Sequence, residues 1–193
     1  MTPFEQSDRM KRKAEGILQE LKLIERWSRC GRVSLVGALS FDLILTPDID
    51  MEIYCPEVKV SDGMNILSEC TANPRVTGAM YQNELAGPDK AIYWRLSYLD
   101  ADQIQWKIDM WSAPVDYALP RGEDFVAPMR RVLTPETREA ILTLKLARER
   151  GELPPFISID LYRAVIRDGI RDAAAFAEWL RNNPTGELSD WKP

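Results

Sequence analysis

Residues 33–54 read VSLVGALSFDLILTPDIDMEIY, and this stretch decides the fold. Val33 to Val36 is a short run of strand type, broken by Gly37. From Asp48 the chain alternates strictly. Asp48, Asp50 and Glu52 point one way, while Ile49, Met51 and Ile53 point the other, until Pro56 closes the run. A period of two with charge on one face and apolar side chains on the other predicts a strand buried on one side only.

On the N-terminal side, residues 7–29 read as one amphipathic helix. Ile17, Leu18, Leu21, Ile24 and Trp27 recur at helical steps, and Gly31 ends the run. On the other side, residues 60–72 suggest a second helix. Ile92 to Leu99 and Gln103 to Trp111 then form two strands around the turn Asp100-Ala101-Asp102. Ile104, Trp106, Ile108 and Met110 share one face of the later strand, and Gln105, Lys107 and Asp109 share the other. Trp94, Trp106 and Trp111 read as core residues.

After Pro114 the pattern changes. Residues 115–133 carry Pro120, Gly122 and Pro128 and read as a connection. Thr134-Pro135 signals a helix start, with Gly151 as its stop. Ser158 and Asp172 read as the caps of two further helices. The expected organisation is a unit at 1–114 with its N-terminal helix, a connection at 115–133, a helical part at 134–183, and a tail at 184–193. The expected class is α+β, a mixed sheet backed by helices with a helical C-terminal part.

Composition narrows the chemistry. There are 193 residues, 45% of them apolar and 28% charged, with a net charge of -5 and a pI near 5.0. The acidic balance argues against nucleic acid as a partner, because Lys and Arg contacts to phosphate supply most of that affinity. No apolar run reaches the ~20 residues of a membrane span, and the N-terminal MTPFEQSDRMKRK lacks the apolar core and cleavage site expected of a signal peptide. Cys30, Cys55 and Cys70 are three and unpaired in spacing, which suits reduced thiols in a cytoplasmic protein. The chain contains no histidine. Histidine-based triads, HExxH zinc sites and the usual imidazole acid–base catalyst are therefore excluded. GxxxxGK[ST] and GxGxxG phosphate motifs are also missing from the sequence.

What remains is carboxylate chemistry. Alternate strand positions hold Asp48 and Asp50 roughly 6 to 7 Å apart on one face. Their mutual repulsion calls for a cation. An all-oxygen set with open positions suits Mg²⁺, or Mn²⁺, which retains room for water and substrate phosphates. Gly37 lets backbone amides approach a polyphosphate closely.

This arrangement resembles the nucleotidyltransferase superfamily, which includes DNA polymerase beta-like, poly(A)-adding, CCA-adding and antibiotic-modifying enzymes. The likeness rests on Val36-Gly37-Ala38-Leu39-Ser40-Phe41 after a strand, with Asp48-Ile49-Asp50 eleven residues beyond the glycine. It implies a third carboxylate on a later strand, and Asp109 in Lys-Ile-Asp-Met-Trp fits. It further implies a nucleoside triphosphate donor and transfer of a nucleoside monophosphate to an acceptor hydroxyl. The turn departs from the usual Gly-Ser or Gly-Gly: Ala38 stands second, so either Ser40 substitutes, or the backbone amides suffice, or nucleotide binding is weakened. Lys107 and Arg95 are further candidates for the substrate side. An acidic chain of this length suggests a small-molecule or protein acceptor. Two other readings stay open: a catalytically weak or inactive nucleotide-binding or protein-interaction module, and a toxin-like transferase acting on tRNA or a protein.

Overall fold

The computed structural model describes residues 1–183 and 191–193. In chain order the elements are α1 (Pro3–Glu20), α2 (Leu23–Ser28), β1 (Arg32–Val36), α3 (Gly37–Ser40), β2 (Asp48–Cys55), α4 (Val60–Thr71) and β3 (Val76–Asn83). After them come β4 (Ile92–Leu99), β5 (Gln105–Pro114), α5 (Glu123–Val132), α6 (Pro135–Glu149) and α7 (Ser158–Tyr162). A π-helical turn (Arg163–Arg167) and α8 (Ala173–Asn182) complete the chain.

The five strands form one sheet in the order β1-β2-β5-β4-β3. It is mixed: β2 and β5 run parallel, and every other neighbouring pair is antiparallel. One face is apolar. Ile49, Met51 and Ile53 of β2, Ile108 and Met110 of β5, and Trp94 and Leu96 of β4 are fully buried beneath α1, α2 and α4. Gly63 explains how α4 sits so close, because a Cβ there would lie 2.2 Å from the Trp94 ring. The opposite face carries the polar alternates. A second cluster, built on Leu142, Leu144, Leu161, Val165 and Phe176, gathers the C-terminal helices.

Several boundaries differ from the sequence reading. The single helix expected over 7–29 is two, because Lys22 takes a left-handed conformation (φ 49°) that breaks the helix. That bend lets Leu21, Leu23 and Trp27 all enter the core. The edge strand β3 was not anticipated. The connection expected over 115–133 contains α5, whose helix persists around Pro128. Its N-terminus is fastened from outside: Glu52 accepts hydrogen bonds from the amides of Gly122 (2.8 Å) and Glu123 (3.0 Å). The Glu123 carboxylate in turn receives Arg32 Nη2 at 2.8 Å and Ser34 Oγ at 2.7 Å. The caps at Thr134 and Asp172 stand as expected, each side chain accepting an amide three residues on, whereas Ser158 is the first residue of α7 and the capping position is Ile157, which has no side-chain cap. Most of the expected tail, residues 184–190, lies outside the described residues. Trp191 beyond it packs with Phe125, ring centroids 5.7 Å apart. Among the described residues no helix is long and apolar enough to cross a membrane.

Candidate active site

The polar face of the sheet forms one wall of a cleft of about 1090 Å³. Helices α5 and α6 and the 156–162 segment supply the opposite side, with Phe125, Lys145, Arg148 and Tyr162 facing inward. Three carboxylates converge on the sheet side. Register decides this: Asp50 lies opposite Asp109 across the parallel pair, and Asp48 lies opposite Lys107. One carboxylate oxygen from each of Asp48, Asp50 and Asp109 lies within 4.8 Å of the others.

Their surroundings differ. Burial, together with the charges of Asp48 and Asp109, pushes the Asp50 carboxyl up to about 7. Burial also raises Asp48, against the pull of Lys107. Burial works upward on Asp109 as well, but hydrogen bonds from Arg95, Tyr93 and Lys107 outweigh it and hold this carboxyl below its usual range. Tyr93 donates its hydroxyl to Asp109 Oδ1 at 2.6 Å, and Arg95 Nε donates to the same oxygen at 2.9 Å. Lys107 Nζ approaches Asp109 Oδ2 at 3.0 Å and Asp48 Oδ2 at 3.3 Å.

The donor set fits a small hard cation. It is all oxygen, it carries excess negative charge, and Asp48 Oδ1 is buried with no hydrogen-bond partner. Gly37 shapes the site from above. Its φ is 65°, and a Cβ there would lie 2.4 Å from Asp50 Oδ2. Only glycine permits both the left-handed turn and the close carboxylate.

The other candidates are distributed unevenly. Ala38 lines the cleft. Ser40 does not face it; its hydroxyl is buried and donates to Gly37 O at 2.7 Å, bracing the turn from behind. Arg95 and Lys107 are engaged with the carboxylates themselves. Sequence reasoning undervalued three residues. Lys145, which a helix of apolar neighbours would by itself send to solvent, is buried in the cleft wall, donating to Leu43 O at 2.9 Å and lying 5.6 Å from the Tyr162 ring centre. Trp111 was expected in the core, yet it lines the cleft beside Tyr93. Glu52 shares the β2 face with the aspartates but serves the α5 wall. Of these, only Glu52 and Trp111 were signalled by the strand period, through sharing faces with Asp50 and Asp109.

The architecture matches solved structures of RNA-modifying enzymes. A cytoplasmic RNA terminal U-transferase aligns with a TM-score of 0.57 over 82% of this chain and 46% of its own, at 13% identity. Cid1, described through its RNA terminal uridylyl transferase activity, aligns at 0.58 with the same coverages and 12% identity. A form of the Cid1 poly(U) polymerase bound to MgATP aligns at 0.56 over 77% of this chain and 45% of its own, at 12% identity. The chain shares the fold of these transferases. The present chain spans less than half the length of these structures. No protein-family model and no curated protein matches the sequence. The shared fold and the three-aspartate cluster thus come from separate observations, one of backbone topology and one of side-chain geometry.

Proposed function

We propose that the protein is a metal-dependent nucleotidyltransferase that moves a nucleoside monophosphate from a nucleoside triphosphate to a hydroxyl of a small molecule or protein. The convergence of Asp48, Asp50 and Asp109 on one point of the cleft carries this reading. A bound Mg²⁺ or Mn²⁺ would be held by these carboxylates and would offset the charge that builds on the phosphates during transfer.

The chain's own residues do the rest. The turn at Gly37 and Ala38 offers backbone amides to the triphosphate without an obstructing side chain. Lys145 and Arg148 supply positive charge from the opposite wall, and Tyr162, Phe125 and Trp111 supply aromatic surface for a base. Asp109 stays ionised because Arg95 and Tyr93 hold it, and it orients the acceptor hydroxyl. The acceptor oxygen forms a bond to the α-phosphorus as the bond to the bridging oxygen breaks; the hydroxyl proton passes to water and pyrophosphate leaves.

The enzymes of similar fold act on RNA by their descriptions, and they are about twice as long. The net charge of -5 favours a small-molecule or protein acceptor here. The test is calorimetric titration with ATP, GTP, CTP and UTP, with and without Mg²⁺, followed by pyrophosphate release against hydroxylated small molecules, proteins and an RNA oligonucleotide. Metal-dependent binding lost in Asp48→Asn/Asp50→Asn supports the reading. If no triphosphate binds the intact protein at millimolar concentration, the transferase reading fails and a protein-interaction module replaces it. Transfer to the RNA alone would move the acceptor to nucleic acid.

A further inference from the structure

The strand register sets a lysine against the aspartate cluster. Lys107 precedes Asp109 by two residues, so both project from the same face of β5, and its backbone lies opposite Asp48. Its ammonium contacts Oδ2 of both Asp48 and Asp109, at 3.3 and 3.0 Å. The neighbouring cations behave differently. Arg95 Nε bonds Oδ1 of Asp109, the oxygen that Lys107 does not contact. Lys145 bonds Leu43 O and acts on Asp50 only through space.

Divalent cations bind carboxylate oxygens at about 2.0 to 2.6 Å, well inside the ammonium contacts seen here. An ammonium that stays within about 3 Å of the same two Oδ2 atoms would stand against an ion placed on them, and the two positive charges would repel strongly. We infer that Lys107 is an internal counter-ion of the triad, seated on two of its carboxylates and displaced when a divalent ion binds there. The inference rests on the metal-binding reading given above. It makes Lys107 the residue that sets metal affinity: free ion binds weakly because each binding event must first break two ion pairs. An ion that arrives with a triphosphate brings its own compensating contacts and overcomes the lysine more readily.

The probe is Mn²⁺ alone, followed by electron paramagnetic resonance, without nucleotide. The proteins are the intact chain, Lys107→Met, Lys107→Gln, Lys107→Arg, Lys145→Met and Lys107→Met/Asp48→Asn. Circular dichroism of each verifies folding. Lys107→Met and Lys107→Gln are expected to bind Mn²⁺ at least tenfold more tightly than the intact chain, and Lys107→Arg to stay weak. Lys145→Met removes the same charge from the cleft wall, where the ammonium bonds Leu43 O, and is expected to change affinity less than threefold. The double variant is expected to lose the gained site. Unchanged or weaker binding in both neutral Lys107 variants overturns the inference, as does an equal gain in Lys145→Met, which would reduce the effect to general electrostatics. If none of the single variants binds Mn²⁺ at millimolar concentration, it is the metal-binding reading itself that fails.

Discussion

Replacing Gly37 by alanine probes the site from the backbone rather than from the carboxylates. Two costs are visible. The residue sits at φ 65°, where a Cβ costs about 1–2 kcal/mol. The added methyl would also lie 2.4 Å from Asp50 Oδ2 and 3.2 Å from its Cγ, so the carboxylate must leave its place. A displaced rotamer adds about 0.5–1.5 kcal/mol. The expected destabilisation is therefore about 1.5–3.5 kcal/mol by urea unfolding in EDTA. Moving Asp50 away from Asp48 and Asp109 should also weaken Mn²⁺ binding about tenfold or more, since the ion depends on all three. In an Asp50→Ala background the same glycine change should cost only its backbone part, so the two substitutions should be non-additive. Gly16 in α1 is the control: a Cβ there meets nothing within 4 Å, and Gly16→Ala should stabilise by about 0.5–1 kcal/mol. A Gly37→Ala protein with undiminished stability and Mn²⁺ affinity would refute the reasoning.

Three further outcomes are expected. Asp50 has a carboxyl raised by burial to about 7, so the folded protein binds a proton there that the unfolded chain releases near pH 4, and metal-free stability falls as pH rises between those values. Asp50→Asn should therefore be more stable than the parent in EDTA at pH 8, by about 2 kcal/mol after allowance for solvent, and by only about a third of that at pH 5; equal gains at both pH values would contradict this. Glu123 shows the opposite sign: the hydrogen bond from Arg32 pulls its carboxyl down to about 2, so its contribution is full above about pH 4.5 and lost as pH falls toward 2. Because Arg32 is more than half exposed, Glu123→Gln should cost only about 1 kcal/mol at pH 7, with the gap closing in acid unfolding. Glu52→Ala removes the acceptor for two α5 amides and should raise hydrogen exchange at Gly122 and Glu123 severalfold while leaving β2 protected.

Local pattern made part of this molecule legible. The strict alternation from Asp48 to Ile53 is possible only on a strand with one buried face, and it placed two aspartates side by side before any coordinates. The caps at Thr134 and Asp172 are written in residue type and spacing, and they hold. What escaped depends on contacts distant in sequence. Helical periodicity runs straight through Lys22, so the break there is set by what Leu23 and Trp27 pack against. β3 is an edge strand whose residues are largely exposed, and VTGAMYQN has no alternation to betray it. α5 has Gly122 just before its start and Pro128 within it, which local propensity reads as loop; Glu52, seventy residues earlier, and Arg32 hold it as a helix. At the site, the long side chains misled most. Whether Lys145 reaches water or a backbone carbonyl turns on the 43–45 loop passing beneath α6, which no period reveals. Ser40 stands near the turn in sequence, but its hydroxyl folds back onto Gly37 O.

The account turns on a divalent ion at the three aspartates, and anomalous diffraction at the manganese edge would test this most directly. Crystals soaked with MnCl₂ and a non-hydrolysable triphosphate should give a peak within coordination distance of Asp48 and Asp50, beside Asp109, with Lys107 Nζ moved off their oxygens. A peak elsewhere, or an ordered triphosphate in the cleft with no peak at these carboxylates, would contradict it.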